Sequence, residues 1–203
     1  MISRPFGIDL LFYKDVVDDL VLEESSEILK ENARMKAKSC AEQTGYLSLG
    51  DDSGIFVRAL DYFPGVHSRR WSGTEGDDTS RNKKIISLME NEKDRLVYLI
   101  SRFALVSPDG TLIGEYVIKN PFDVANCVKG EHGFGYDPIL CPRDEAIIKA
   151  ILNGKIPCER GKEIIANRYS IGELTQEEKN AINNRGAIAE EVLGSLNGYK
   201  NIN

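Results

Sequence analysis

The sequence predicts an α/β fold. Short runs rich in β-forming residues, at 46–49, 55–60, 95–106 and 111–119, alternate with longer segments whose apolar residues recur at helical spacing, at about 25–43 and 79–92. The length of 203 residues suits one domain with a substantial core, or a domain with a small lobe. Apolar residues make up 41% and charged residues 29%, as expected of a globular chain. A net charge of −6 argues against broad contact with nucleic acid or an anionic membrane. No apolar run approaches the length of a bilayer span, and the start, Met1-Ile2-Ser3-Arg4-Pro5, has no signal-peptide pattern. A cytoplasmic setting is therefore expected. The four cysteines, Cys40, Cys127, Cys141 and Cys158, form no Cys-x-x-Cys pair, and there are only two histidines, His67 and His132. That composition predicts reduced thiols and no zinc cluster.

Residues 6–13 read as a first strand. Ser25 or Ser26 can cap a helix that runs to about Gln43 and stops at Gly45, with Leu29, Ala33, Ala37, Cys40 and Ala41 on one face. Lys36 flanks that face, where a lysine can snorkel to solvent. A loop from Asp61 to Asp78 precedes a helix from about Thr79 to Glu92, with Ile85, Ile86, Leu88 and Met89 on its apolar side. The strands at 95–106 and 111–119 flank Pro108-Asp109-Gly110, where Pro presets φ and Gly permits positive φ, so a long antiparallel hairpin is expected. Residues 145–152 and 159–166 read as two helices. Thr175-Gln176-Glu177-Glu178 is a capping box that opens a helix carrying Lys179, and a last helix runs from about Arg185 to Leu196.

Two stretches carry candidate chemistry. Gly50-Asp51-Asp52-Ser53-Gly54 lies between two strand-like runs and is expected to be a sharp turn. Two carboxylates side by side at a strand end repel each other unless a cation compensates, and a hard ion such as Mg²⁺ suits that task. A solvated turn is the alternative. In the second stretch, residues 130–138, three glycines flank Phe134 and Tyr136. Glycine lets backbone approach a flat ligand closely, and an aromatic face can stack on a base. An ordinary glycine–aromatic core turn is the alternative.

Ordered along the chain are Glu24 followed by Asn32-Ala33-Arg34-Met35-Lys36-Ala37, the Asp51-Asp52-Ser53-Gly54 motif, Phe63-Pro64-Gly65-Val66-His67-Ser68-Arg69-Arg70-Trp71-Ser72-Gly73, and Gly133-Phe134-Gly135-Tyr136-Asp137-Pro138. Gly172-Glu173-Leu174 and Glu178-Lys179-Asn180-Ala181-Ile182 follow. Over about residues 20–195 the chain resembles the inosine triphosphate pyrophosphatase family. That family hydrolyses ITP, dITP and XTP to the monophosphate and pyrophosphate.

The resemblance implies a long, twisted, mixed central sheet with helices on both faces and two lobes around a nucleotide cleft. It implies Mg²⁺ held by Glu24 and Asp52, with Asp52 also activating water and Asp51 supporting the site. Ser53, Lys36, Lys179 and Arg185 would meet phosphate or supply positive charge. Phe134, Gly135, Tyr136 and Asp137 would surround the base, and a homodimer is implied as partner state. Residues 141–170 are longer than the family pattern and are expected to be a helical insertion in a single domain spanning 1–203.

Two departures stand out. The family's Ser/Thr-x-Asn-x-x-Lys phosphate loop is not found; Lys14 is the only lysine before Lys30, and no Asn precedes it. The chain is expected either to begin late or to lack that clamp, which admits a nucleotide-binding member with weak or no catalysis. The family's Ser-His-Arg reads Asn183-Asn184-Arg185, so Asn184 takes the place from which His reads the purine 6-position. A carboxamide offers both donor and acceptor, which admits altered base specificity.

Overall fold

The computed structural model describes residues 10–17, 25–73, 77–130, 133–183 and 185–200; of 185–187 and 197–200 it describes backbone only. Six helices run through these residues: α1 (Leu29–Thr44), α2 (Asp78–Leu88), α3 (Asp144–Leu152), α4 (Cys158–Asn167), α5 (Gln176–Ile182) and α6 (Arg185–Lys200). Four strands accompany them: β1 (Ser48–Val57), β2 (Leu96–Val106), β3 (Leu112–Val124) and β4 (Leu140–Pro142). They form one sheet in the order β1-β2-β3-β4. The α/β class read from the sequence is the class found.

The long hairpin is present as β2 and β3. Its turn closes through Ser107 N–H to the Thr111 carbonyl at 2.9 Å, with Gly110 at φ +84°. β3 pairs antiparallel with β4, Phe122 opposite Pro142 and Val124 opposite Leu140. A mixed sheet was expected, and this pairing is antiparallel. Most of the strand expected at 6–13 lies outside the described residues; residues 10–13 form no strand, and Tyr13–Asp15 make one 3-10 turn.

The larger correction concerns β1. The Asp-Asp motif is not a turn between two strands; one strand runs straight through it. Both glycines serve close approach instead. A side-chain carbon on Gly50 would sit 2.4 Å from the Ala33 carbonyl oxygen and 2.6 Å from the Ala37 nitrogen. One on Gly54 would sit 2.3 Å from the Gly65 carbonyl oxygen. Glycine inside a strand is a known mark of such close backbone approach. The strand's alternation also sends Asp51 and Asp52 to opposite faces, Asp51 exposed and Asp52 buried. The crowding expected of adjacent carboxylates does not arise.

Two compact units divide the chain, with boundaries inside β1, β2 and β3. The first comprises 1–53, 101–117 and 187–203. Its core packs Ala33, Ala37 and Ala41 of α1 against Ala104 and Val106 of β2. These alanines recur every four residues, so α1 presents a flat stripe that lets its backbone lie against Gly50. The helix ends as expected at Gly45, whose N–H bonds the Ala41 carbonyl at 2.9 Å. It starts later than either candidate serine: Ile28 is the first flanking residue, and Ser26 Oγ accepts its N–H at 3.1 Å.

The second unit comprises 54–100 and 118–186. Its core joins Ile55 and Val57 of β1, Ile85 of α2 with Met89 just past its end, and Phe122 and Val124 of β3, all at most 2% exposed. α3 and α4 form where the two helices were expected; α3 packs on α4 and α5 and contributes Ile147 and Ala150 to the same core. Burying a side chain such as Ile147 stabilises by roughly 1.5–3 kcal/mol.

Candidate active site

In the first unit, β1 and α1 assemble an ionic cluster. Lys36 and Asn32 are four residues apart on α1, so both reach the same part of β1. Lys36 Nζ donates to Asp52 Oδ1 at 2.7 Å and to the Asp51 carbonyl at 3.1 Å. Asn32 Nδ2 donates to the other oxygen, Asp52 Oδ2, at 3.1 Å. The Lys36 side chain is only 16% exposed, so it is not the snorkelling lysine that its sequence position allows. Asn32 is 1% exposed and reaches backward as well: it accepts the Ser26 N–H and donates to the Ser26 carbonyl, each at 3.0 Å. The carboxylate is thus held at both oxygens while the segment just after Glu24 is bracketed by the same asparagine. Glu24 itself lies outside the described residues.

Ser53 is not part of this cluster. Its hydroxyl faces away with Asp51 and bonds Ser101 Oγ at 2.8 Å.

No group of three or more acidic, His or Cys side chains converges among the described residues. Mg²⁺ needs no such cage: it commonly takes one or two carboxylates, several waters and the phosphates of its substrate. The Asp52 carboxylate, held at its two oxygens by Lys36 and Asn32, is a hard-oxygen ligand of the kind such an ion takes.

In the second unit, residues 133–137 present the other candidates. Phe134 is 87% exposed, although its N–H is tied to Asp137 Oδ2 at 3.2 Å. Tyr136 is tied into the fold: its hydroxyl donates to the Ser68 carbonyl and accepts Trp71 Nε1–H at 2.9 Å. Burial pushes its phenol pKa above the usual range, so it stays a neutral donor. Phe134 is therefore the aromatic face available to a ligand, and Tyr136 is a hydrogen-bonded post behind it. Gly135 is held through both its peptide groups by α2, its N–H by Asp78 Oδ2 at 3.0 Å and its carbonyl by Asn82 Nδ2 at 2.9 Å.

Asp137 also accepts from Lys179 Nζ at 3.2 Å, and the lysine side chain is only 9% exposed. α5 places that lysine. Its capping box is formed as expected, with Thr175 Oγ1 accepting the Glu178 N–H at 3.2 Å and Glu178 accepting the Thr175 N–H at 2.9 Å. Arg160 of α4 donates to Glu178 at 2.6 Å, and this contact holds the Glu178 carboxyl below its ordinary range. The pair of helices expected as an insertion thus braces the turn that carries Lys179. Asn184 lies outside the described residues; Arg185 opens α6, and its side chain lies outside them too.

The sequence reading brought forward Lys36, Asp52, Asp137 and Lys179, which the structure joins in two pairs. Asn32 stands in the same motif as Lys36 without an assigned role, and Asp78 and Asn82 lie outside the motifs. The first had a signal, four residues before Lys36 in the same segment; the other two act on a loop more than fifty residues away in sequence.

Comparison with known proteins bears on the same segments. The chain is 31% identical to a dITP/XTP pyrophosphatase of Mycobacteroides abscessus, over 97% of this chain and 85% of that one. It is 34% identical to a dITP/XTP pyrophosphatase of Corynebacterium glutamicum, over 94% and 84%. Among solved structures, a HAM1 protein from Coxiella burnetii superposes with a TM-score of 0.72 at 27% identity, covering 96% of this chain and 89% of that one. The Mycobacterium abscessus nucleoside-triphosphatase / dITP/XTP pyrophosphatase gives 0.66 at 30%, covering 93% and 88%. The model of the Ham1 family matches residues 2–193, which include both clusters described above, and the chain belongs to the Ham1 family.

Proposed function

We propose that this protein is a nucleoside-triphosphate pyrophosphatase, a hydrolase of the α–β phosphoanhydride, acting on ITP, dITP and XTP with Mg²⁺. The observation that carries the reading is the buried Lys36–Asp52 contact at 2.7 Å, braced by Asn32. The names of the similar proteins support the substrate class.

In the reaction, water attacks the α-phosphorus. A P–O bond forms to the water oxygen as the bond to the α–β bridging oxygen breaks, and pyrophosphate leaves with that electron pair. Asp52 orients the water and accepts its proton. Lys36 holds the Asp52 carboxylate in place through their 2.7 Å contact and adds positive charge near the phosphates. Mg²⁺ would be held by Asp52, with Glu24 by resemblance, and when bound it supplies charge neutralisation and a more acidic water. Phe134 offers a face to the purine, and Lys179, fixed by Asp137, supplies charge together with Arg185. A homodimer and a cytoplasmic location belong to the same reading. Incubation with ITP, dITP and XTP plus Mg²⁺ tests it; no pyrophosphate at high protein concentration would sink it. Tight nucleotide binding without turnover would instead select the weakly catalytic alternative.

A second reading keeps the reaction and changes the base preference. It rests on Asn183-Asn184 standing where Ser-His is found in the family. A carboxamide that can present either face does not leave a mismatched base unpaired, so it discriminates less than a fixed donor. The expectation is a modest ITP-over-ATP preference in kcat/KM that rises in Asn184→His. A strong preference already present and unmoved by Asn184→His would assign selectivity to residues 134–137.

A further inference from the structure

Gly135 is gripped from one helix. Asp78 and Asn82 are four residues apart on α2; one accepts its N–H at 3.0 Å and the other donates to its carbonyl at 2.9 Å. Gly135 sits at φ +64°, and a side-chain carbon there would meet nothing within 4 Å. Backbone conformation, not space, calls for glycine at this position. Asn82 is 1% exposed, and its Oδ1 has no partner among the described residues. A buried amide that leaves one end unpaired is destabilising, so the bond it does make needs a reason. That bond goes to the loop bearing the most exposed aromatic ring among the described residues, Phe134.

The same turn of α2 holds a second segment. Arg81 bonds Asp78 and also the Arg69 carbonyl, the latter at 2.9 Å. Two residues on, Trp71 holds the Tyr136 hydroxyl. Phe134 therefore projects from a turn whose neighbours on the carboxyl side are all tied. An aromatic fixed in this way loses little freedom when a base stacks on it, and affinity falls by the fraction of time it is not so fixed.

We propose that Asp78 and Asn82 are positioning residues that set purine affinity by clamping Gly135 and so presenting Phe134. The proposal rests on the functional reading above. Lys36 and Asp52, assigned to the chemical step, lie on α1 and β1, so loss of the clamp raises KM and spares kcat.

The test uses the full chain with Asn82→Leu, which keeps size and removes the donor. KM for ITP rises about tenfold, the factor that corresponds to ~1.4 kcal/mol, with kcat within about threefold. Trp71 is the only tryptophan and bonds Tyr136, so its emission becomes more accessible to acrylamide as the loop loosens. In a Phe134→Ala background the extra KM increase disappears, because the two changes act through one platform. Asp78→Ala repeats the effect, a raised KM with kcat spared, and decides the matter if Asn82→Leu does not fold. Unchanged KM in a folded Asn82→Leu, a loss confined to kcat, or the same KM increase with Phe134 already removed overturns the proposal. A wild type without ITP turnover overturns the functional reading itself, and is seen before any variant is made.

Discussion

The two clusters are held by different physics. In the first unit, Lys36, Asn32 and Asp52 form a charged knot between neighbouring elements, sixteen residues separating the ion pair in sequence. In the second, residues 133–137 carry an exposed ring whose turn is held by hydrogen bonds with residues 53 to 68 positions away, beside the Lys179–Asp137 ion pair. An ion pair in low dielectric is strong and unforgiving: removing one partner strands the other. A hydrogen-bonded loop is adjustable, each bond worth about 0.5–1.5 kcal/mol net. The contrast matches the proposed split, in which one cluster serves the hydrolysis and the other sets which base is accepted.

The most severe way to break the comparison is Asp52→Asn. Turnover falls at least ~10²-fold, the scale of losing an electrostatic group from the transition state. Because Asp51 points to the other face, the substitution relieves no repulsion; it removes the anion facing the Lys36 ammonium and lowers stability by about 1–3 kcal/mol. Wild-type turnover in the folded variant would remove Asp52 from the mechanism. Its KM for ITP should change much less than kcat, the reverse of the Asn82→Leu pattern.

Gly50→Ala comes next. Its new carbon meets the backbone of α1, not a flexible side-chain end, so the helix must move off β1. Overpacking of this kind costs about 1–3 kcal/mol. The displacement also carries Asn32 and Lys36 away from Asp52, so kcat drops along with the melting temperature. Thermal unfolding paired with steady-state kinetics checks both, and a variant with native stability would show that α1 does not rest on Gly50.

The smallest effect concerns the brace on α5. Arg160 holds Glu178 below its ordinary carboxyl pKa. A depressed acid contributes stability that is fully present above its unfolded pKa, near 4.5, and is lost as pH falls through its folded value. Arg160→Met should therefore reduce stability at neutral pH and flatten its decline below about pH 4.5. Urea unfolding at a series of pH values reads this, and parallel curves for the two proteins would refute the linkage.

Much of the molecule was legible before any coordinates. Helix α1, its stop at Gly45, the β2–β3 hairpin and the Thr175–Glu178 box are each specified within a few residues, by apolar period, a turn glycine or reciprocal capping. Lys36 and Asp52 were legible as candidates, since their motifs resemble those of the family. Their neighbour Asn32 was readable in principle from the i, i+4 spacing on α1.

What the tertiary structure alone decided is how identical residue types divide their tasks. Gly50 and Gly54 read as turn formers and are contact points, because only a packed helix and the Gly65 carbonyl exclude a side chain there. Asp51 and Asp52 read as one acidic pair and are separated by the pleat of a continuous strand. Phe134 and Tyr136 read as equivalent aromatics, yet one is exposed and the other is a half-buried post bonded to Ser68 and Trp71. Periodicity, caps and turns act over a few residues and leave a trace in the chain. A hydrogen bond from Asn82 to Gly135 joins residues 53 positions apart, and no local pattern records it until the fold brings them together.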